Sequence, residues 1–136
     1  VAIIKEKEIL LAIKNSDQIQ GEETKHRFIG GFVDAKETLE EAAKREAEEE
    51  SGMNIEGDLT FLGSFIIDDW RYKNTADTLL TSFFIGEHTW GGGKAKDDID
   101  ELVWVNMKDL KKTKFVEGHI ILANRLIEYL KGVNNE

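Results

Sequence analysis

Residues 38–51 read TLEEAAKREAEEES, a run rich in Ala, Glu and Lys with neither Gly nor Pro, and Gly52 follows directly. These residue types favour the α-helix, and a glycine just beyond them is the usual place for a chain to leave one. A helix over 38–51 is therefore predicted, and its wheel is unusual. At roughly 100° per residue, Leu39, Ala42 and Ala43 fall within about 60° of Glu46, on the side that should face a core. Glu49 and Glu50 lie on that side too, whereas Glu41, Lys44 and Glu48 point outward. Carboxylates at i, i+3 and i+4 repel one another, and partial burial adds to the cost. Such a cluster calls for a cation or for protonation. A Glu-rich helix is most often a solvated face, but three glutamates on the inward arc favour a bound divalent metal. Carboxylate oxygens suit Mg²⁺, which prefers oxygen ligands completed by water and phosphate. Gly30 and Gly31 just upstream strengthen this reading, because paired glycines let the backbone approach an anion or turn a carbonyl toward a metal.

The rest of the chain supplies strands on both sides of that helix. Val1–Ile4 and Ile9–Ile13 are apolar and partly β-branched, with charged residues between them, which predicts a hairpin. Asn15–Lys25 reads as a polar loop. A short strand broken by the two glycines is expected over Phe28–Asp34. Leu59–Ile67, Leu79–Ile85 and Glu101–Val105 are strand-like, with polar loops over Asp68–Asp77 and Glu87–Asp100. Residues Val116–Lys131 carry Ile120, Leu122, Ala123, Leu126, Ile127 and Leu130 at helical spacing, giving a second long helix. The economical architecture is an α/β/α sandwich with a mixed β-sheet.

Length and composition narrow the function classes. At 136 residues and 40% apolar content, one domain over 1–136 with an ordinary core is expected. No run reaches the roughly eighteen apolar residues of a membrane span, and the start lacks a basic-then-apolar leader, so a soluble, cytoplasmic protein is expected. Val1 already lies in a strand, which suggests that residues precede it in the native chain. Without cysteine there is neither a disulfide framework nor a thiolate metal site. A net charge of −9 argues against a nucleic-acid backbone as partner.

The segment from Gly31 to Met53 resembles the Nudix box: G, five residues, E, seven residues, R-E, an aliphatic residue, any residue, E-E, any residue, G and an aliphatic residue. Gly31, Glu37, Arg45, Glu46, Glu49, Glu50, Gly52 and Met53 occupy the specified positions, with the small Ala47 at the first aliphatic one. The order of strands and helices is also similar to the Nudix fold across nearly the whole chain. The resemblance implies that Glu46, Glu49 and Glu50 bind Mg²⁺, with Mn²⁺ able to substitute, and that the Gly30 carbonyl is a backbone ligand. It also implies that Arg45 and Glu37 support the site, Arg45 by pairing with acidic residues of the box. The implied chemistry is hydrolysis of a phosphoanhydride, with metal neutralising the diphosphate and activating a water. Glu101, in the acidic stretch before a Trp-containing strand, is the candidate base beside the box glutamates; a solvated turn is the alternative for that stretch. Many members carry a proline before the two glycines where this chain has Ile29.

The box leaves the substrate open. Trp70, Arg71 and Tyr72 offer aromatic faces for a base and a guanidinium for a phosphate, or equally the packing of a homodimer interface. With Lys96–Leu102 they resemble the ADP-ribose pyrophosphatase branch of the family, which makes ADP-ribose or a related dinucleotide or nucleotide sugar the leading small-molecule substrate. The four-cysteine zinc site and the proline-rich array of NADH pyrophosphatases are lacking, which lowers that branch. Nucleoside triphosphate hydrolysis is the alternative, and a non-catalytic nucleotide-sensing module the alternative of another class. Arg27, with His26, precedes the glycine loop and is a candidate phosphate contact. His88 and His119 lack a partner at metal-ligand spacing and are assigned no function.

Overall fold

The computed structural model describes residues 1–55, 57–67, 79–90 and 100–134. The hairpin of β1 (Ala2–Lys5) and β2 (Glu8–Ile13) forms where the two apolar runs and the charged residues between them predict it, with Glu6 in the left-handed region at the turn. β2 pairs antiparallel with β6 (Glu101–Asn106), and β1 pairs parallel with β5 (Leu79–Trp90). The other edge of β5 carries, one after the other, β3 (Asn54–Ile55) and β4 (Thr60–Ile67), both antiparallel to it. The result is a mixed sheet in the order β3-β5-β1-β2-β6, with β4 also on β5.

Strand alternation divides the core into two layers. Ala2, Ile9, Leu11, Phe83 and Ile85, with Val103 and Val105, pack on one face against Leu122, Ala123 and Leu126 of α2 (Ile120–Asn134). Ile3, Leu10 and Ala12, with Leu102 and Trp104, pack on the other face with Ala47 of α1 (Leu39–Ser51) and with Ile29, Met53 and Ile55. A helix on each face of a mixed sheet is the sandwich predicted from the sequence. Leu126 and Ile55 are wholly buried, and a side chain so placed contributes about 1.5–3 kcal/mol by leaving water. Arg125 Nε further ties α2 to the sheet by donating to the Leu62 carbonyl (2.8 Å).

The ends of α1 follow from local chemistry. Thr38 is the N-cap: its hydroxyl accepts from the Glu41 amide, and the Glu41 side chain accepts from the Thr38 amide, which satisfies two otherwise orphaned donors. Gly52 closes the helix in the left-handed conformation, φ 69°. Leu39, expected on the inward arc, is instead half exposed at the first residue of the helix. Glu48, expected in solvent, accepts from the Ile55 amide (3.1 Å) and so anchors β3 to the helix.

Three other boundaries differ from the sequence reading. β5 continues past Ile85 through Gly86 to Trp90, since β1 and β3 both pair with that end. The second helix starts at Ile120 because Glu117–His119 form a tighter 3₁₀ turn. The strand expected over Phe28–Asp34 is not a strand: the isolated bridges nearby belong to the residues just before its start, Arg27 with Ala12 and His26 with Phe115.

Candidate active site

Arg45 is the hub of the box residues. Its Nε and one terminal nitrogen grip Glu37 in a bidentate pair (2.6 and 2.9 Å), and the same nitrogen donates to the Phe32 carbonyl (3.1 Å). The other terminal nitrogen reaches Glu46 (2.8 Å) and Glu49 (3.3 Å). Asp34 adds a further carboxylate at 3.3 Å. The loop between the glycines and α1 is thereby fastened to the helix from above. Hydrogen bonds from Arg45 and from the Asp34 amide hold the Glu37 carboxyl below its usual range, and the facing carboxylates raise the guanidinium well above its own.

The glycines meet the helix from the other side. Gly30 N–H donates to the carboxylate of Glu50 (3.1 Å), which is buried at 8% exposure. Gly31 lies against Glu46 so closely that a Cβ there would fall 2.3 Å from the carboxyl carbon. Glu46 and Glu37 are largely covered, their side chains 19% and 17% exposed, while that of Glu49 is 55% exposed. The sequence thus placed Glu46, Glu49, Glu50, Arg45, Glu37 and Gly30 in one locality, and the structure brings them together.

The other candidates sit apart from this cluster. Glu101 is exposed and, by strand alternation, shares the face of β6 that carries Val103 and Val105, which pack toward α2. Leu102 and Trp104 belong to the layer under α1. Arg27, a candidate phosphate contact, is engaged with Asp17 through two hydrogen bonds (2.8 and 2.9 Å) that tie it to the polar loop. Trp70, Arg71 and Tyr72 lie outside the described residues.

Among the described residues no three His, Asp or Glu side chains converge as a ready-made metal cage. The donor set nevertheless fits Mg²⁺: all oxygen and anionic, with a cation, the Arg45 guanidinium, already drawn between Glu46 and Glu49. A metal ion beside them would take up the same excess negative charge.

The model of the NUDIX domain matches residues 1–126. The chain belongs to the NUDIX family. Among curated proteins it is 28% identical over 126 residues to the NAD-capped RNA hydrolase NudC of Photorhabdus laumondii, a match that covers 88% of this chain and 45% of that protein. The chain therefore spans less than half the length of the curated relative. Among solved structures it resembles a MutT protein from Methanosarcina mazei Go1 (TM-score 0.72, 20% identity, 99% of this chain and 91% of that one). It also resembles an ADP-ribose pyrophosphatase from Streptococcus suis 89-1591 (TM-score 0.68, 19% identity, 97% and 87%). At these identities the structural likeness establishes the NUDIX fold.

Within the NUDIX domain, one of the two histidines left without a function in the sequence acquires a place. His119 lies under the glycine loop, where its Nδ1 accepts from the Phe28 amide (3.0 Å) and its ring stacks on Phe28. Removal from water, with repulsion from Arg27 and Lys14, lowers its pKa to about 3. The unfolded chain therefore binds this proton near pH 6.5 and the folded protein only near 3. Stability from the neutral ring is full above pH 6.5 and falls toward pH 3, with a slope of up to about 1.4 kcal/mol per pH unit. Below pH 4.5 Glu37, whose folded pKa is depressed, removes stability in the same direction. Urea unfolding across pH 7 to 4 should show this decline, and His119→Asn should flatten it between pH 6.5 and 4.5. An unchanged slope in that variant would assign the acid loss to other groups.

Proposed function

We propose that this domain is a Mg²⁺-dependent hydrolase of a phosphoanhydride bond in a nucleoside diphosphate linked to a further group, with ADP-ribose the leading substrate. The observation that carries this reading is the convergence of Glu46 and Glu49 on one cationic nitrogen, beside a buried Glu50 bonded to the glycine loop. Glu46, Glu49, Glu50 and the Gly30 carbonyl would hold the metal, which when bound supplies charge neutralisation of the diphosphate and a water of lowered pKa. The chain's own residues do the rest. Arg45, braced by Glu37, fixes the loop to the helix and keeps the carboxylates oriented. Glu49, the most exposed of the three, is the residue best able to meet substrate or to take a proton from the attacking water. Glu101 ranks below it, because its face of β6 turns toward the other helix layer.

The substrate preference rests on the ADP-ribose pyrophosphatase likeness and on Trp70, Arg71 and Tyr72 in the sequence. The MutT likeness keeps nucleoside triphosphates as the second reading. The name of the NudC relative adds an NAD-capped RNA end, for which a nucleotide pocket and not a basic groove would suffice at a net charge of −9. One domain acting on a small nucleotide, in the cytoplasm and as a homodimer where a partner is needed, completes the proposal. No helix among the described residues is long and apolar enough to cross a membrane. The test is incubation with ADP-ribose, NADH, nucleoside triphosphates and a nucleotide sugar, with and without Mg²⁺. Mg²⁺-dependent release of AMP from ADP-ribose is the expected result. Tight binding without cleavage would replace the hydrolase by a nucleotide sensor.

A further inference from the structure

The segment His26–Gly30 delivers the glycine loop to α1, and its backbone is fastened one group at a time. Arg27 exchanges both hydrogen bonds with Ala12 of β2 (2.8 and 2.9 Å), and the Ile29 carbonyl accepts from the backbone nitrogen of Val1 (2.7 Å). On the opposite side, His26 pairs in parallel with the stretch before α2: its amide donates to Lys114 O, and its carbonyl accepts from Val116 N. A continued parallel ladder would send the Phe28 amide to Val116 O. That carbonyl has turned away to accept from the His119 amide in the 3₁₀ turn (2.9 Å). Phe28 is 3% exposed, so its N–H would be buried without a partner. The turn that removes the carbonyl also brings His119 round, and its Nδ1 takes the amide.

We propose that His119 is a positioning residue for the box: it replaces the missing ladder acceptor for Phe28 and so sets where Gly30 meets Glu50 and Gly31 meets Glu46. The 3₁₀ turn before α2, remote from the box in sequence, is thereby part of the device that places the carboxylates proposed to hold the metal. The consequence for metal binding rests on the hydrolase reading above; the consequence for the loop does not. The low pKa keeps Nδ1 free to accept across the physiological range.

Three variants separate the acceptor from the ring. His119→Asn keeps an acceptor where Nδ1 lies and loses the ring. His119→Phe keeps a ring that can stack on Phe28 and loses the acceptor, and His119→Gln moves the acceptor to the Nε2 position. Besides turnover and melting temperature, three quantities are read: amide exchange at Phe28, the Gly30 amide shift by NMR, and Mn²⁺ affinity by calorimetry. His119→Phe is expected to raise Phe28 exchange about tenfold, shift the Gly30 resonance and weaken Mn²⁺ about tenfold, with kcat falling more than KM changes. His119→Gln should follow it, which keeps the test open should the Phe variant fail to fold, and His119→Asn should stay within about twofold of wild type. A Phe or Gln variant that loses thermal stability alone, with Gly30 and Mn²⁺ binding unmoved, overturns the proposal. So does an Asn variant as impaired as the Phe variant, since the ring would then matter and not the acceptor. A wild-type protein that binds no Mn²⁺ would refute the hydrolase reading, while Phe28 and Gly30 would still decide the role of His119.

Discussion

Glu49→Gln should lower Mg²⁺-dependent turnover by about a hundredfold to a thousandfold and leave the fold as it is. Both halves follow from where the side chain sits. Glu49 is the most exposed of the three box carboxylates, and its hydrogen bond to Arg45 is the long one at 3.3 Å. Arg45 retains its bidentate pair with Glu37 and its 2.8 Å bond to Glu46 when Glu49 is neutralised. Glutamine preserves the shape and can still accept from the guanidinium, so thermal unfolding should be unchanged. What it removes is one negative charge from the set proposed to hold a divalent ion and to steer a proton. Glu40→Gln, a neutral change in the exposed first turn of the same helix, is the matched control and should keep wild-type activity. If Glu49→Gln retained more than about a tenth of wild-type turnover, the box would not be the seat of the chemistry.

What the sequence disclosed and what it withheld divide along the range of the interaction. Thr38, Glu41 and Gly52 set the ends of α1 through bonds within a few residues, so the helix was legible almost to its boundaries. The strands β1 and β2 were legible as apolar runs, because both faces of the sheet are covered, but which residue joins which core layer was not. The end of β5 was not. Gly86 reads as a strand breaker, yet it stands inside the strand because Leu59 and Ile55 pack over it: a Cβ would come within 2.5 Å of Leu59. The cause lies in another element and leaves no local mark. His119 was missed for the same reason, since its partner is a backbone amide 91 residues away. The pairing of Arg27 with Asp17 was hidden because Asp17 comes near only once the polar loop folds back, with Gln18 bonded to Lys25. Glu101 shows a further limit: acidity is visible in a sequence, but the side of the strand it occupies depends on register.

The glycine loop supplies the second large effect, and the expected damage is to geometry and not to charge. Gly31→Ala would place a methyl 2.3 Å from the carboxyl carbon and one oxygen of Glu46, and 2.7 Å from its other oxygen. A carboxyl at the end of a flexible side chain can swing clear, so the backbone need not move and the protein should fold with a near-normal melting temperature. The swing has to break the 2.8 Å bond between Glu46 and Arg45, however, and it carries a proposed metal ligand away from its partners. Misplacement by about an ångström commonly costs about a hundredfold in rate, and a loss of that order is expected, together with a higher Mg²⁺ requirement. Gly30→Ala provides the comparison, because its Cβ would meet only the Val1 nitrogen at 3.9 Å, an ordinary contact. Its loss should be the smaller of the two. Rates and Mg²⁺ dependence measured side by side decide the matter: equal losses would mean that the loop needs two glycines for its own backbone, whereas a clearly larger loss in Gly31→Ala ties that glycine to the seat of the Glu46 carboxylate.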